Sequence, residues 1–62
     1  MTDLQQQIID VATAFYKENK YPCSQAYLAR HFKVTPPTMK QHVDTIIRKG
    51  KLRLVEGKVM PK

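Results

Sequence analysis

The residues best suited to recognise a ligand lie between Thr35 and Gly50, where polar side chains recur on one side of a predicted helix. This side carries amide, hydroxyl and cationic groups: Thr38, Lys40, Gln41, Thr45 and Arg48. Amide and cationic side chains can form paired hydrogen bonds with base edges in the major groove of DNA. A helix that presents Lys40 and Gln41 outward is therefore suited to reading a DNA sequence, and Thr38 to meeting a phosphate or a thymine methyl group.

The same segment carries signals for where the helix begins and ends. Thr35 is a suitable N-cap, because its hydroxyl can accept a hydrogen bond from an unpaired amide of the first turn. Pro36 suits the first helical position, where no amide partner is lost. Gly50 tolerates a positive φ and follows a cationic last turn, so it can close the helix. The apolar residues share the other side and predict the face that packs on the core: Met39, Val43, Ile46 and Ile47.

Positive charge is concentrated in the second half of the chain. The 62 residues carry a net charge of +6. Residues 1–29 contribute −1, from two lysines and three acidic residues, whereas residues 30–62 contribute +7, from nine lysines and arginines and two acidic residues. Because a cationic face favours an anionic partner, this distribution indicates nucleic acid, bound by the half of the chain that contains the polar helix.

The residue types used in catalysis and metal binding show no suitable arrangement. Cys23 is the only cysteine, so a disulfide within the chain and a cysteine-rich metal motif are both excluded. His31 and His42 have no cysteine or carboxylate cluster at ligand spacing. A chain of this size buries only about 60% of its unfolded surface, which leaves no room for a deep catalytic cleft. We expect no enzymatic activity, no cofactor, no metal and no small-molecule ligand.

Length and hydropathy predict one domain over residues 1–62. The first residues lack the basic region and the apolar run of a signal peptide. No stretch approaches the roughly 20 apolar residues that span a membrane. The single cysteine suits a reducing cytosol. The expected location is cytoplasmic, and nucleoid-associated when the protein is bound to DNA.

Two further helices are predicted before Thr35. The first runs from about Asp3 to Asn19, with Thr2 or Asp3 as its cap. Its inward residues follow a helical period: Leu4, Ile8, Val11, Ala12 and Phe15. The second runs from Gln25 to about Phe32 after a cap at Ser24, and it turns Leu28, Ala29 and Phe32 inward.

The two helices on either side of Lys33 and Val34 are separated by a very short connection. Two short helices joined by about three residues are typical of a helix-turn-helix. Val34 is expected to direct its side chain into the core. The order of elements up to this point is helix, helix, turn, helix.

After Gly50 the apolar residues recur at every second position instead of at helical spacing. Leu52 and Leu54 alternate with charged residues, which predicts a half-buried strand. A turn at residues 56–58 and a return strand at residues 59–60 follow, and Pro61 is expected to stop the return strand at a sheet edge. A lone hairpin is marginal in water, so this one must pack on the helices. The predicted fold is mainly α (α+β): a three-helix winged helix-turn-helix with a short C-terminal β-hairpin wing.

Three segments resemble the DNA-binding domain of LexA-type repressors, which is a winged helix-turn-helix. They are the run Gln5-Gln6-Gln7-Ile8-Ile9-Asp10, the run from Pro22 to Ala29, and the run from Thr35 to Gly50. The resemblance extends over nearly the whole chain. It implies a small transcriptional regulator of a bacterium or a phage.

The resemblance also implies which residues lie at the bases. In the family these are the second, third, fifth and sixth residues after the helix cap, here Pro37, Thr38, Lys40 and Gln41. The family favours an amide and a carboxylate where this chain has Pro37 and Lys40. The DNA sequence that this chain prefers should therefore differ from that of the family. The turn after Phe32 is one residue shorter and has no glycine. The family's C-terminal self-cleaving and dimerising domain has no counterpart in these 62 residues, so self-cleavage is not expected of them.

A second group of residues is expected to contact phosphates or to act from the wing: Ser24, Gln25, Lys33, Thr35, Thr45, Arg48 and Lys58. Ser24 and Gln25 can hold a phosphate together with the amides that begin the second helix, or Ser24 can serve only as its cap. Arg48 can bind a phosphate, or pair with Asp44 four residues earlier. Lys58 can reach the neighbouring groove or backbone from the wing tip.

The three tyrosines raise the alternative of binding to single-stranded nucleic acid. Tyr16, Tyr21 and Tyr27 have rings that can stack on single-stranded bases. They are spread over helix and loop positions, whereas proteins that bind single strands align such rings along a groove. Positions at the edge of the core and contacts with phosphates are the favoured roles.

Together these patterns predict a sequence-specific double-stranded DNA-binding protein whose third helix, about residues 36–49, enters the major groove. The alternative is a winged-helix protein-interaction module, or an RNA binder, that regulates another nucleic-acid-associated protein. The uneven charge favours nucleic acid over a protein partner, and the lack of an aromatic-bearing sheet disfavours RNA. No dimerisation element follows the wing, so a monomer or weak dimer is expected, with two copies pairing on DNA.

Overall fold

The computed structural model describes residues 3–62, which form three helices and three short strands. In chain order these are α1 (Asp3–Asn19), β1 (Cys23–Ser24), α2 (Gln25–Phe32), α3 (Pro36–Arg48), β2 (Leu52–Val55) and β3 (Lys58–Pro61). The three predicted helices are confirmed. The expected cap at Thr2 lies outside the described residues.

The hydrophobic core lies where the three helices meet the sheet. Its fully buried members come from every helix and strand: Ile8, Ala12, Cys23, Leu28, Ala29, Met39, Val43, Ile46, Leu52 and Val59. Partly buried side chains pack around them: Leu4, Ile9, Val11, Phe15, Phe32, Val34 and Ile47. The predicted inward faces of all three helices are therefore confirmed. Burying one large aliphatic side chain contributes about 1.5–3 kcal/mol, a large share of the stability of so small a chain.

A lysine in the left-handed region makes the short turn between α2 and α3. Lys33 has φ 59° and ψ 42°. The Val34 amide then donates to the Ala29 carbonyl over 2.9 Å, and the Val34 side chain packs against the core as predicted. A residue other than glycine in this conformation costs about 1–2 kcal/mol. The turn thus keeps its tight geometry without the glycine that such positions favour.

The N-caps of α2 and α3 differ. Ser24 Oγ accepts a hydrogen bond from the Tyr27 amide over 3.0 Å, as predicted. Thr35 stands at the N-cap of α3, but its side chain accepts no amide hydrogen bond, so that part of the prediction is wrong. A cap accepts from the second or third helical amide, and Pro37 at the second position has no N–H, so only the Thr38 amide remains for a cap. The Thr35 hydroxyl instead donates to Thr38 Oγ1 over 2.9 Å.

The wing belongs to a three-stranded antiparallel sheet, in which β1 was missed by the sequence prediction. The strand order is β1-β3-β2, which places β3 in the centre. In β1, Cys23 pairs with Val59 and Ser24 pairs with Lys58. The expectation that Pro61 ends an edge strand is therefore wrong, because Pro61 ends the central one. There it lies opposite Leu52 of β2, beyond the two residues that β1 can pair.

The predicted alternation in β2 holds for Leu52 but not for Leu54. Leu52 is 1% exposed, whereas Leu54 is 42% exposed. Leu54 pairs with the buried Val59, so both lie on the same side of the sheet. Leu54 nevertheless stays exposed because β2 is an outer strand and this part of it approaches the wing turn. The turn itself uses positive φ at Glu56 and Gly57, the geometry of a tight two-residue hairpin.

Candidate nucleic-acid interface

The first half of α3 presents the residues predicted to read bases. All four are exposed: Pro37, Thr38, Lys40 and Gln41. On the other side of the same helix, Met39, Val43 and Ile46 are completely buried. The core therefore fixes the rotation of α3 about its axis and leaves the outer side open to a ligand.

The polar side chains of α3 differ in whether a hydrogen-bond donor remains available for a ligand. Thr45 Oγ1 donates to the Gln41 carbonyl over 3.0 Å, so its proton is already used within the helix. Thr38 Oγ1 accepts from Thr35, which leaves its own proton available. Within residues 3–62 the Lys40 ammonium and the Gln41 side-chain amide have no hydrogen-bond partner. Together with the Thr38 hydroxyl, these two side chains are the free donors on the outer side of the first half of the helix.

Cationic side chains on and beside α3 have no acidic partners. Lys33, Lys40, Arg48 and Lys58 are exposed. In the part of the chain that the structure describes, no lysine or arginine nitrogen lies within 4.0 Å of a carboxylate oxygen. The ion pair with Asp44 that the spacing allowed to Arg48 does not form here. The positive charge thus remains available for phosphate groups.

The start of α2 is joined to the wing, which brings three predicted phosphate contacts together. Ser24 lies opposite Lys58 in the pairing of β1 with β3. The next residue, Gln25, donates from Nε2 to the Gly57 carbonyl over 3.3 Å. The periodicity of the sequence does not predict this contact, because it joins residues 32 positions apart.

A chain of ring contacts joins α1 to α2, and the sequence prediction missed it as well. Phe15 lies 5.3 Å from Tyr21 and 4.9 Å from Tyr27, measured between ring centroids. Tyr27 stacks on His31, which in turn meets the edge of Phe32. Tyr21 is 54% exposed and Tyr27 41% exposed. Tyr21 and Tyr27 are therefore brought together by Phe15 rather than scattered. The spacing of Tyr27 and His31 by one helical turn is the sequence signal that could have predicted their stacking.

Cys23 is a core residue. Burial raises the pKa of its thiol to about 11, so the thiol is protonated at neutral pH and is a poor nucleophile. Among residues 3–62, no group of three or more histidine, cysteine, aspartate or glutamate side chains is placed to hold a metal ion. The described part of the chain also encloses no pocket. None of the helices in this part is long and apolar enough to cross a membrane.

The tight turn between α2 and α3, the hairpin that follows α3 and the exposed cationic side of α3 define a winged helix-turn-helix. The family model of the LexA DNA binding domain matches residues 1–59. The chain therefore belongs to the LexA DNA binding domain family, and the predicted resemblance is confirmed. It is a DNA-binding protein of the transcription-regulator type, in a family defined by binding rather than by catalysis. Searches of curated proteins and of solved structures found no match.

Proposed function

We propose that the protein binds double-stranded DNA sequence-specifically and regulates transcription in a bacterium or a phage. In this proposal α3 enters the major groove and residues 1–62 act as one DNA-binding domain. The observation that carries it is the outer side of α3, where the side chains of Lys40 and Gln41 are exposed and have no hydrogen-bond partner within the described residues. Membership of a DNA-binding family supports the same use of this helix.

The four base-reading positions have different chemistry. Gln41 carries a donor and an acceptor on one amide, which suits adenine, and the Lys40 ammonium suits the acceptors of guanine. Pro37 has no donor, so only apolar contact is open to it, for example with a thymine methyl group. Thr38 can make apolar contact and can donate its proton. The chain is therefore expected to prefer a sequence that combines these base types.

Phosphates are contacted mainly by free cations in this proposal. Lys33, Arg48 and Lys58 are exposed and unpaired within the described residues, so each can replace a counterion on the DNA backbone. Thr35 and Thr45 contribute less, because each hydroxyl must leave its present acceptor before it can donate to a phosphate.

Binding should depend strongly on salt. With roughly four to six phosphates neutralised, a plot of log affinity against log salt concentration should have a slope of about −4 to −5. Titration of duplexes at several salt concentrations measures the slope, and selection from a random duplex pool identifies the preferred sequence. A failure to bind any duplex at low salt would contradict the proposal.

A protein-interaction module is the second candidate, and the exposed rings of Tyr21 and Tyr27 favour it. Aromatic side chains are enriched in the cores of protein interfaces. If this is the principal function, replacing both tyrosines by serine abolishes partner binding, whereas replacing Lys40 and Gln41 does not. Tighter binding to RNA than to duplex DNA in the same titrations would instead support an RNA binder.

The free protein is proposed to be a monomer or weak dimer in the cytoplasm, with two copies pairing on DNA. The buried apolar side chains already belong to one small core. Two copies on half-sites about 34–36 Å apart would raise the effective concentration of the second without a tight free dimer. Sedimentation at micromolar concentration, with and without a two-site duplex, tests this. A tight dimer without DNA would contradict it.

A further inference from the structure

We infer that Gln25 is a positioning residue, which holds the tip of the wing against the start of α2 and so fixes Lys58 relative to α3. The inference rests on the proposed function, because the place of Lys58 affects binding only if the wing meets DNA. In the sequence, Gln25 is a candidate phosphate contact. The hydrogen bond to Gly57 assigns it a different role.

The hydrogen bond extends the sheet by one residue. β1 pairs with β3 at two positions, Cys23 with Val59 and Ser24 with Lys58. One step further in this antiparallel register, Gln25 would lie opposite Gly57. The backbone of Gln25 has already entered α2 and cannot continue the ladder. Its side-chain Nε2 donates to the Gly57 carbonyl over 3.3 Å and takes the place of the missing backbone donor.

Besides the strand pairing of Lys58 with Ser24 of β1 and Val55 of β2, the wing tip has few attachments through its side chains. Every residue from Arg53 to Lys58 is exposed, including the apolar Leu54 and Val55. An isolated hairpin is marginal in water, so a tip without buried side chains depends on polar contacts for its orientation. The bond from Gln25 joins this tip to α2, and α2 is held to α3 by the common core.

Loss of this bond should affect all DNA sequences equally. A mobile tip leaves Lys58 in the protein but no longer pre-positions it, so part of the binding free energy is used to order the wing. Lys58 is expected to contact the phosphate backbone, which carries no base information. Gln25 should therefore set affinity, and the outer side of α3 should set base preference.

Gln25→Met tests the inference, because methionine is similar in length and has no donor. Gln7→Met is the matched control, since Gln7 is exposed on α1 and makes no hydrogen bond within residues 3–62. Gln25→Asn, which keeps the amide but is one methylene shorter, should behave as Gln25→Met does. Melting temperatures show whether each variant is folded.

Two readouts separate positioning from direct phosphate contact. In the free protein, Gln25→Met should increase amide hydrogen exchange at residues 56–58, where a side chain that only meets phosphate would have no effect. On duplexes, it should weaken binding roughly two- to tenfold in the otherwise unchanged protein. In a Lys58→Ala background the same substitution should weaken binding less than about twofold, because the positioned group is gone.

Equal losses in the two backgrounds, with unchanged exchange at the wing, would overturn the inference in favour of direct contact. No loss of duplex affinity for Gln25→Met would overturn it too. If the unchanged protein binds no duplex at all, the proposed function fails. The exchange measurement then still decides whether Gln25 holds the wing.

Discussion

The two sides of α3 have opposite environments although they alternate along the same 13 residues. Met39, Val43 and Ile46 are fully buried and fix the helix in the core. Lys40 and Gln41, between them in sequence, are exposed and unpaired within the described residues. The difference means that fold stability and base preference depend on separate residues. Substitutions on one side should therefore change one property and leave the other.

The largest effect is expected on the buried side. Val43→Ala removes two methyl groups from a fully buried position and should lower the free energy of unfolding by about 2–3 kcal/mol. For a domain of this size that corresponds to a melting temperature roughly 10 °C lower or more. Thr45→Ala should change stability by less than about 0.5 kcal/mol, because the lost hydrogen bond is offset by better helix propensity. Thermal unfolding compares the two, and equal melting temperatures would mean that the helix phase is wrong.

On the outer side the effect should appear in binding. Gln41→Ala and Lys40→Ala should each reduce discrimination between the preferred and a random duplex by about 1–3 kcal/mol, with little change in melting temperature. Lys58→Ala should weaken both duplexes alike. Lys17→Ala, an exposed cation on α1, is the control for net charge. If Gln41→Ala weakens the two duplexes equally, Gln41 does not read a base.

A smaller effect sharpens the comparison at the helix starts. Ser24→Ala removes a cap that accepts the Tyr27 amide and should cost about 1 kcal/mol. Thr35→Ala should cost less, because Thr35 accepts no amide hydrogen bond. Denaturant unfolding measures both free energies. A larger loss for Thr35→Ala would show that its hydroxyl contact with Thr38 stabilises α3 more than a cap does.

The helices could be predicted because their signals are local. The apolar period, the cap at Ser24 and the stop at Gly50 each lie within a few residues of what they determine. The exposed side of α3 follows from the same period, whereas the choice of Pro37, Thr38, Lys40 and Gln41 as base contacts comes from the resemblance to LexA-type repressors and stays a prediction. The left-handed conformation of Lys33 could not be predicted from the sequence. A sequence signals such a conformation through glycine, and here a lysine adopts it.

The strand β1 and the role of Gln25 could not be predicted in this way. A strand of two residues has no period of its own, and its existence depends on β3, more than 30 residues later. Leu54 follows the alternation of a buried strand, yet it is 42% exposed, because burial depends on which distant elements cover a strand position and not on its local period. The failed cap at Thr35 was only partly within reach of the sequence, since Pro37 removes one of the two amides that a cap can meet and leaves that of Thr38.

The lack of ion pairs among residues 3–62 gives salt opposite effects on folding and on binding. Like charges that no carboxylate neutralises repel one another and destabilise the compact state. Screening by salt reduces this repulsion and stabilises the free protein, while the same salt weakens its hold on DNA. The phosphate backbone supplies the negative charge that these cations do not meet in carboxylates of the described residues. We therefore expect bound DNA to stabilise the folded protein by neutralising its cations, and to do so most at low ionic strength, where the free protein should be least stable.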